Sequence, residues 1–199
     1  TGVLRPYSGT IHIGERDVTS WPTDRRARFG LARTFQINTL FPNLTVLRST
    51  MLALAERNGG GRVWWRSLER CSDLRDESYA LLADLHLDEV SDTAVHELSY
   101  GRQRLMEIAL ALAARPRILL LDEPAAGVPE GEREELFEVI DALPRHISVL
   151  FIEHDMDLVF RFARRISVLV GGALLTEGTP EEIARDHRVR EVYLGDADV

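Results

Sequence analysis

Apolar residues along this chain change their spacing as it proceeds, and each change marks a different kind of element. Near the start, Thr10-Ile11-His12-Ile13 alternates between the turn signals Ser8-Gly9 and Gly14-Glu15-Arg16-Asp17, which predicts a short antiparallel hairpin. From Asn43 the spacing becomes helical through Val46, Leu47, Met51, Leu52 and Leu54, with Thr45 or Asn43 available as N-cap. Asn58-Gly59-Gly60-Gly61 breaks it. A second helical stretch, Ser67 to Leu87, puts Leu74, Leu81, Leu82 and Leu85 on one face. A third follows Ser99 through Leu105, Ile108, Ala109, Leu112 and Ala113, and Pro116 stops it.

Beyond Pro116 the pattern alternates between two kinds of segment. Ile118 to Leu121 is a continuous apolar run too short for a helix, as expected of a strand buried on both faces of a parallel sheet. Pro129 to Leu143 predicts an acid-rich helix, Ser148 to Ile152 a second buried strand, Asp155 to Phe162 another helix and Ile166 to Val170 a third strand. This alternation with short links is the doubly wound α/β signature. Gly171-Gly172 turns the chain into Ala173 to Glu177, and Thr179-Pro180-Glu181-Glu182 opens a terminal helix with a capping-box pattern.

Composition narrows the function classes. The 199 residues suffice for one globular domain with a core, 45% are hydrophobic and 28% charged, and no run approaches the roughly 18 to 20 apolar residues of a membrane span. A net charge of -8 argues against a general nucleic-acid surface. The short clusters Arg25-Arg26-Ala27-Arg28 and Arg164-Arg165 are expected to be solvated or salt-bridged faces. Cys71 is alone, so it builds neither a disulfide framework nor a metal-ligand set, and it is expected to be an inert helix residue. No lysine occurs, which excludes from these residues a Gly-rich loop ending in Lys-Ser/Thr of the kind that grips nucleotide phosphates. Thr1-Gly2-Val3-Leu4 has no initiator Met and no signal-peptide pattern, and is expected to be the middle of a longer protein.

The candidate chemistry lies where a parallel sheet would present it. Ligands of open α/β sheets sit beyond the carboxyl ends of the strands. Asp122 and Glu123 end the Leu-rich strand there: the first could hold Mg²⁺, the second could orient or deprotonate a water. The pair alone could equally be a helix cap. His154 ends the next strand and, in a parallel sheet, would emerge at the same edge as Glu123, where it could donate to a phosphate oxygen or serve as a structural hydrogen-bonder. Ser99-Tyr100-Gly101 opens a helix, where free backbone N–H groups and the dipole make either a simple cap or an anion site. Gln36, in Arg33-Thr34-Phe35-Gln36, means nothing by itself.

Together these segments resemble the ATP-binding-cassette (ABC) ATPases over nearly the whole chain. Arg33 to Gln36 is similar to that family's Q-loop, Leu98 to Arg102 to its signature, Ile118 to Glu123 to its Walker B strand, and Ile152-Glu153-His154-Asp155 to its switch-histidine segment. A narrower resemblance, to the ATPase subunits of branched-chain amino acid importers, rests on Leu98 to Gly101, Glu123 to Gly127, Glu153 to Asp157 and Val189 to Gly195. Urea and amide importers and lipopolysaccharide-export ATPases share parts of the pattern.

The resemblance implies an α/β fold: a P-loop NTPase-type parallel sheet, incomplete because its first strand and phosphate loop are absent, with an antiparallel β hairpin region and a helical subdomain. Residues 1–199 would form one N-terminally truncated ABC ATPase domain, with a helical subdomain at 43–98 and an α/β core with C-terminal extension at 99–199. The missing strand, loop and helix would occupy roughly 30 residues upstream. The implied cofactors are ATP and Mg²⁺. Catalytic roles fall to Glu123 as base, His154 at the γ-phosphate and Gln36 at the water, with Asp122 and Gln36 toward Mg²⁺. Ser99 and Gly101 would bind nucleotide across a dimer. The implied partners are a second ABC ATPase subunit and integral membrane permease subunits, with no nucleic acid, and the implied place is cytoplasmic, on the inner face of the cell membrane. The segment Asn43 to Leu87 would dock the permease.

Three departures accompany this likeness: Tyr100 and Arg102 in the signature, Pro129 where the D-loop usually has Asp or Asn, and the missing phosphate loop. The alternatives are a non-transport ABC ATPase, or a catalytically incompetent cassette acting only as a binding module.

Overall fold

A computed structural model describes residues 1–34, 41–57 and 71–194. These divide into two compact units, Thr1–Ile152 and Glu153–Val199.

The first unit opens with the expected hairpin, β1 (His12–Ile13) paired antiparallel with β2 (Arg16–Asp17). Two elements then appear that apolar spacing did not announce, α1 (Thr23–Arg28) and β3 (Leu31–Arg33). The helix has six residues and no apolar stripe. Its arginines differ in exposure: Arg28, paired with Asp24, and Arg25, stacked over Trp21, are exposed, whereas Arg26 is buried with bonds to the carbonyls of Trp21 and Thr19. β3 is too short to show a period. It is a strand because Gly30 O accepts from both Arg117 N and Ile118 N, which sets Leu31 to Arg33 beside β4 (Ile118–Asp122).

The parallel sheet runs β3-β4-β5, with β5 (Ser148–Ile152) at an edge. Side chains alternate across it. Leu119 and Leu121 are buried on the face of Phe151, which meets Phe137 of α5 (Glu130–Asp141) edge-on at 5.3 Å. The opposite face corrects the expectation of strands buried on both sides: Leu150 and Ile152 are each 60% exposed. Apolar composition marks a strand that can be covered; whether both faces are covered depends on which elements pack there.

The helical stretches pack together as α2 (Val46–Arg57), α3 (Ser72–Ala83) and α4 (Tyr100–Ala113); α3 is shorter than the expected Ser67 to Leu87, ending in a turn after Ala83, and the expected start at 67–70 and break at 58–61 lie outside the described residues. Val46, Leu47, Met51, Leu54, Leu74, Leu82, Leu105, Ile108 and Leu112 are buried. Thr45 is the cap, its Oγ1 accepting from Arg48 N at 3.2 Å. The free N–H groups of Val46 and Leu47 bond to the carbonyls of Thr93 and Ser91, closing the base of α2 against the segment before α4. Cys71 is not inside a helix but at the N-cap of α3.

In the second unit, α6 (Met156–Phe162) is capped by Asp155. The strand at Ile166–Val170, β6, does not extend a parallel sheet. It pairs antiparallel with β7 (Ala173–Gly178) in a sheet of two strands. Gly171 and Gly172, with φ of 57° and 82°, make the tight two-residue hairpin that sets β7 antiparallel beside β6. α7 (Pro180–Arg185) has the predicted capping box, Thr179 N donating to Glu182 Oε2 at 2.8 Å and Glu182 N to Thr179 Oγ1 at 3.3 Å.

Candidate functional site

At the carboxyl end of β4, Asp122 and Glu123 leave the sheet by different routes. Asp122 keeps the strand's alternation, on the same face as Leu120 and its register partner Arg33. Arg33 Nη2 therefore reaches Asp122 Oδ2 at 2.6 Å, and both side chains are half-buried. Glu123 breaks the alternation. Its φ is 47°, the left-handed region that a non-glycine residue enters at a cost on the order of 1–2 kcal/mol. Two bonds hold it there: Glu123 N donates to Ile152 O at 2.9 Å, and Ala126 N donates to Glu123 O at 3.0 Å. The carboxylate is half-buried instead of continuing the buried row of Leu119 and Leu121.

The second cluster lies at the start of α4. Ser99 is its N-cap, with Arg102 N pointing to Ser99 Oγ at 3.5 Å. Ser99 Oγ and Gly101 N both donate to Glu132 Oε2, at 3.0 and 2.9 Å, so an anionic group already sits on this helix N-terminus. Gly101 is required for that approach, because a Cβ there would collide with the Glu132 carboxylate.

Tyr100, the first departure from the general pattern, joins the two clusters. Its ring lies where a Cβ on Gly127 would be, and Gly127 has φ of 76°. Arg104 Nη2 bonds Ala126 O at 3.3 Å and Tyr100 Oη at 3.4 Å, while Nη1 pairs with Glu107 at 2.8 Å. Arg104 and Glu107 are each 8% exposed, and burial pushes the Glu107 carboxyl above its usual value against the opposing bond from Arg104. Arg133 Nε adds a bond to Val128 O at 2.8 Å. The corner Ala125–Pro129, between β4 and α5, is thus clamped by arginines from both helices.

Of the sequence-predicted residues, Asp122 and Glu123 adjoin at one sheet end and Ser99 and Gly101 share one anion. His154 belongs to the second unit, exposed and immediately before the α6 cap. Gln36 lies outside the described residues. Arg33, Arg104 and Glu132 were not singled out for these contacts. Arg33 belongs to the Q-loop-like segment, but only strand register shows its reach to Asp122; no local signal marks Glu132.

The donor set at Asp122 suits Mg²⁺, which keeps several waters and is held by one or two carboxylates plus substrate phosphates. Among the described residues no cluster of three His, Cys, Asp or Glu forms an all-protein cage for an ion.

A parallel sheet whose central strand ends in Asp-Glu, beside a helix opening on Ser-Tyr-Gly, defines an ATP-binding cassette, and the chain belongs to the ABC transporter family, whose model matches residues 1–126. Residues 173–199 match a second model, that of the branched-chain amino acid ATP-binding cassette transporter. The chain is 38% identical over 204 residues to the high-affinity branched-chain amino acid transport ATP-binding protein LivG of Salmonella typhimurium, spanning 99% of this chain and 80% of that relative. It is 37% identical over 196 residues to the lipopolysaccharide export system ATP-binding protein LptB of Acidithiobacillus ferridurans, spanning 98% and 77%. A solved ATP-binding cassette of an ABC transporter, in its ADP conformation, superimposes with a TM-score of 0.81 at 27% identity, covering 98% of this chain and 80% of that one.

Proposed function

We propose that this protein is the ATP-binding subunit of an ABC importer and couples ATP hydrolysis to uptake of branched-chain or related amino acids. The observation that carries the catalytic part is Glu123, a glutamate kept in a left-handed backbone at the carboxyl end of a parallel strand. A strained backbone at the carboxyl end of a parallel strand supports a functional placement of this carboxylate. The C-terminal match to the branched-chain amino acid cassettes supports the substrate class over lipopolysaccharide export.

On this reading Glu123 orients the attacking water and accepts its proton. Asp122, with Gln36, would hold Mg²⁺, which when bound would supply charge neutralisation at the phosphates. His154 donates a hydrogen bond to the γ-phosphate. Ser99 Oγ and Gly101 N receive phosphate oxygens of the nucleotide bound by a second ATPase subunit, so two subunits complete each site. Membrane permease subunits carry the amino acid. No helix among the described residues is long and apolar enough to cross a membrane.

The test is Glu123→Gln in the full-length protein. Gln keeps the shape but cannot accept the proton, so turnover should fall about 10²- to 10⁴-fold while ATP still binds and the dimer accumulates. His154→Ala should also lose most activity, and Ser99→Arg should bind ATP without dimerising. Phosphate release and size-exclusion of the ATP-bound form separate these cases, and leucine uptake by the complex with its permease checks the substrate. Hydrolysis by Glu123→Gln at the parent rate would remove Glu123 as the base.

A further inference from the structure

We propose that Glu132 is the resident anion of the signature: in the separated subunit its carboxylate occupies Ser99 and Gly101, and it must leave before a nucleotide phosphate from the partner subunit can bind there. The inference rests on the reading of Ser99 and Gly101 as a phosphate site.

The geometry is that of a ligand more than of a brace. A single oxygen, Glu132 Oε2, accepts from both Ser99 Oγ and Gly101 N at the N-terminus of the 14-residue α4. A phosphate oxygen would need those same two donors. The absent Cβ of Gly101 leaves room for the carboxylate to reach backbone, and a phosphate would use that same room. Both anions cannot be present, since two like charges at hydrogen-bond distance of one donor pair repel strongly.

Pro129 explains why Glu132 is available. Glu132 stands at the third position of α5, where a glutamate ordinarily folds back to the N–H of the N-cap residue. α7 does this: Glu182 accepts from Thr179 N. The N-cap of α5 is Pro129, which has no N–H and no side-chain acceptor. The reciprocal pair cannot form, and the Glu132 carboxylate is released toward α4. The proline that departs from the family's D-loop pattern thus supplies the signature with its own counter-anion.

A site filled by its own side chain binds its external ligand with an affinity reduced by the fraction of time it is open. The measurement uses the full-length protein carrying Glu123→Gln, so that ATP-bound dimer accumulates, and reads the ATP concentration for half-maximal dimerisation by light scattering. Adding Glu132→Gln should lower that midpoint about three- to tenfold. Pro129→Ser should lower it likewise while retaining Glu132, because it restores a capping N–H and hydroxyl; as a favourable N-cap it should keep or raise the melting temperature. Glu130→Gln removes the same charge from the same helix end without touching α4, and should move the midpoint less than twofold. If Glu132→Gln and Pro129→Ser leave the midpoint unmoved or raise it, Glu132 is a brace between α4 and α5 and the inference is wrong. If Ser99→Arg dimerises at the parental midpoint, the failure lies instead in the reading of Ser99 as a phosphate site.

Discussion

Glu123 carries the sharpest conflict between local preference and position. Its φ of 47° is one that glycine adopts freely and glutamate does not. Glu123→Gly should therefore stabilise the protein by about 1 kcal/mol in urea denaturation while abolishing ATP turnover. The pair of outcomes is the test, since a glutamate placed for packing would lose stability on truncation. Arg33 is a second residue defined by its surroundings: its guanidinium lies 2.6 Å from the carboxylate assigned to Mg²⁺, so one cation holds that carboxylate where another would bind.

Among the elements, α2, α3 and the end of α4 are tied together by one carboxylate. Glu77 of α3 receives Arg57 of α2 at 2.8 and 2.9 Å and Arg115, just beyond α4, at 2.8 Å. The hydrogen bond from Arg57 is the largest cause holding its pKa below the ordinary 4.5, with Arg115 adding to it against partial burial. A carboxylate whose folded pKa is depressed contributes stability that is complete above the unfolded value and is lost as pH falls through the folded one. The melting temperature should fall as pH drops below about 5, and Glu77→Gln should be less stable at neutral pH with a shallower fall. An unchanged acid slope in Glu77→Gln would assign the loss to other groups.

At the scale of the whole molecule, coupling to a permease requires an exposed surface that moves with the nucleotide site. The α2–α3 region is the candidate, because α2 and α3 pack with α4, whose first turn carries the signature-like segment. In a Cys71→Ser background of the full-length protein, a cysteine at the exposed Glu56 of α2 should crosslink to permease, and one at the exposed Glu181 of α7 should not. The reverse pattern would move docking to the C-terminal region.

Period and punctuation determined most of the elements, while the roles proposed for the residues that end them came from the family resemblance. Helical spacing named α2, α3 and α4, short apolar runs named β4 and β5, and Thr179 to Glu182 named the cap of α7, because these depend on neighbours within a turn or two. The residue types at Asp122-Glu123 and Ser99-Gly101 were legible for the same reason. The tertiary structure decided what depends on distant partners. β3 exists because Gly30 and β4 complete its bonds, and β6 pairs with β7 because two glycines turn the chain back on itself. Glu132 lies 31 residues from the amide it bonds, and Arg33 89 residues from Asp122. Their alternatives in the unfolded chain are water and near neighbours, so only the packing of α5 beside α4, and of β3 beside β4, brings these charges onto the groups they hold.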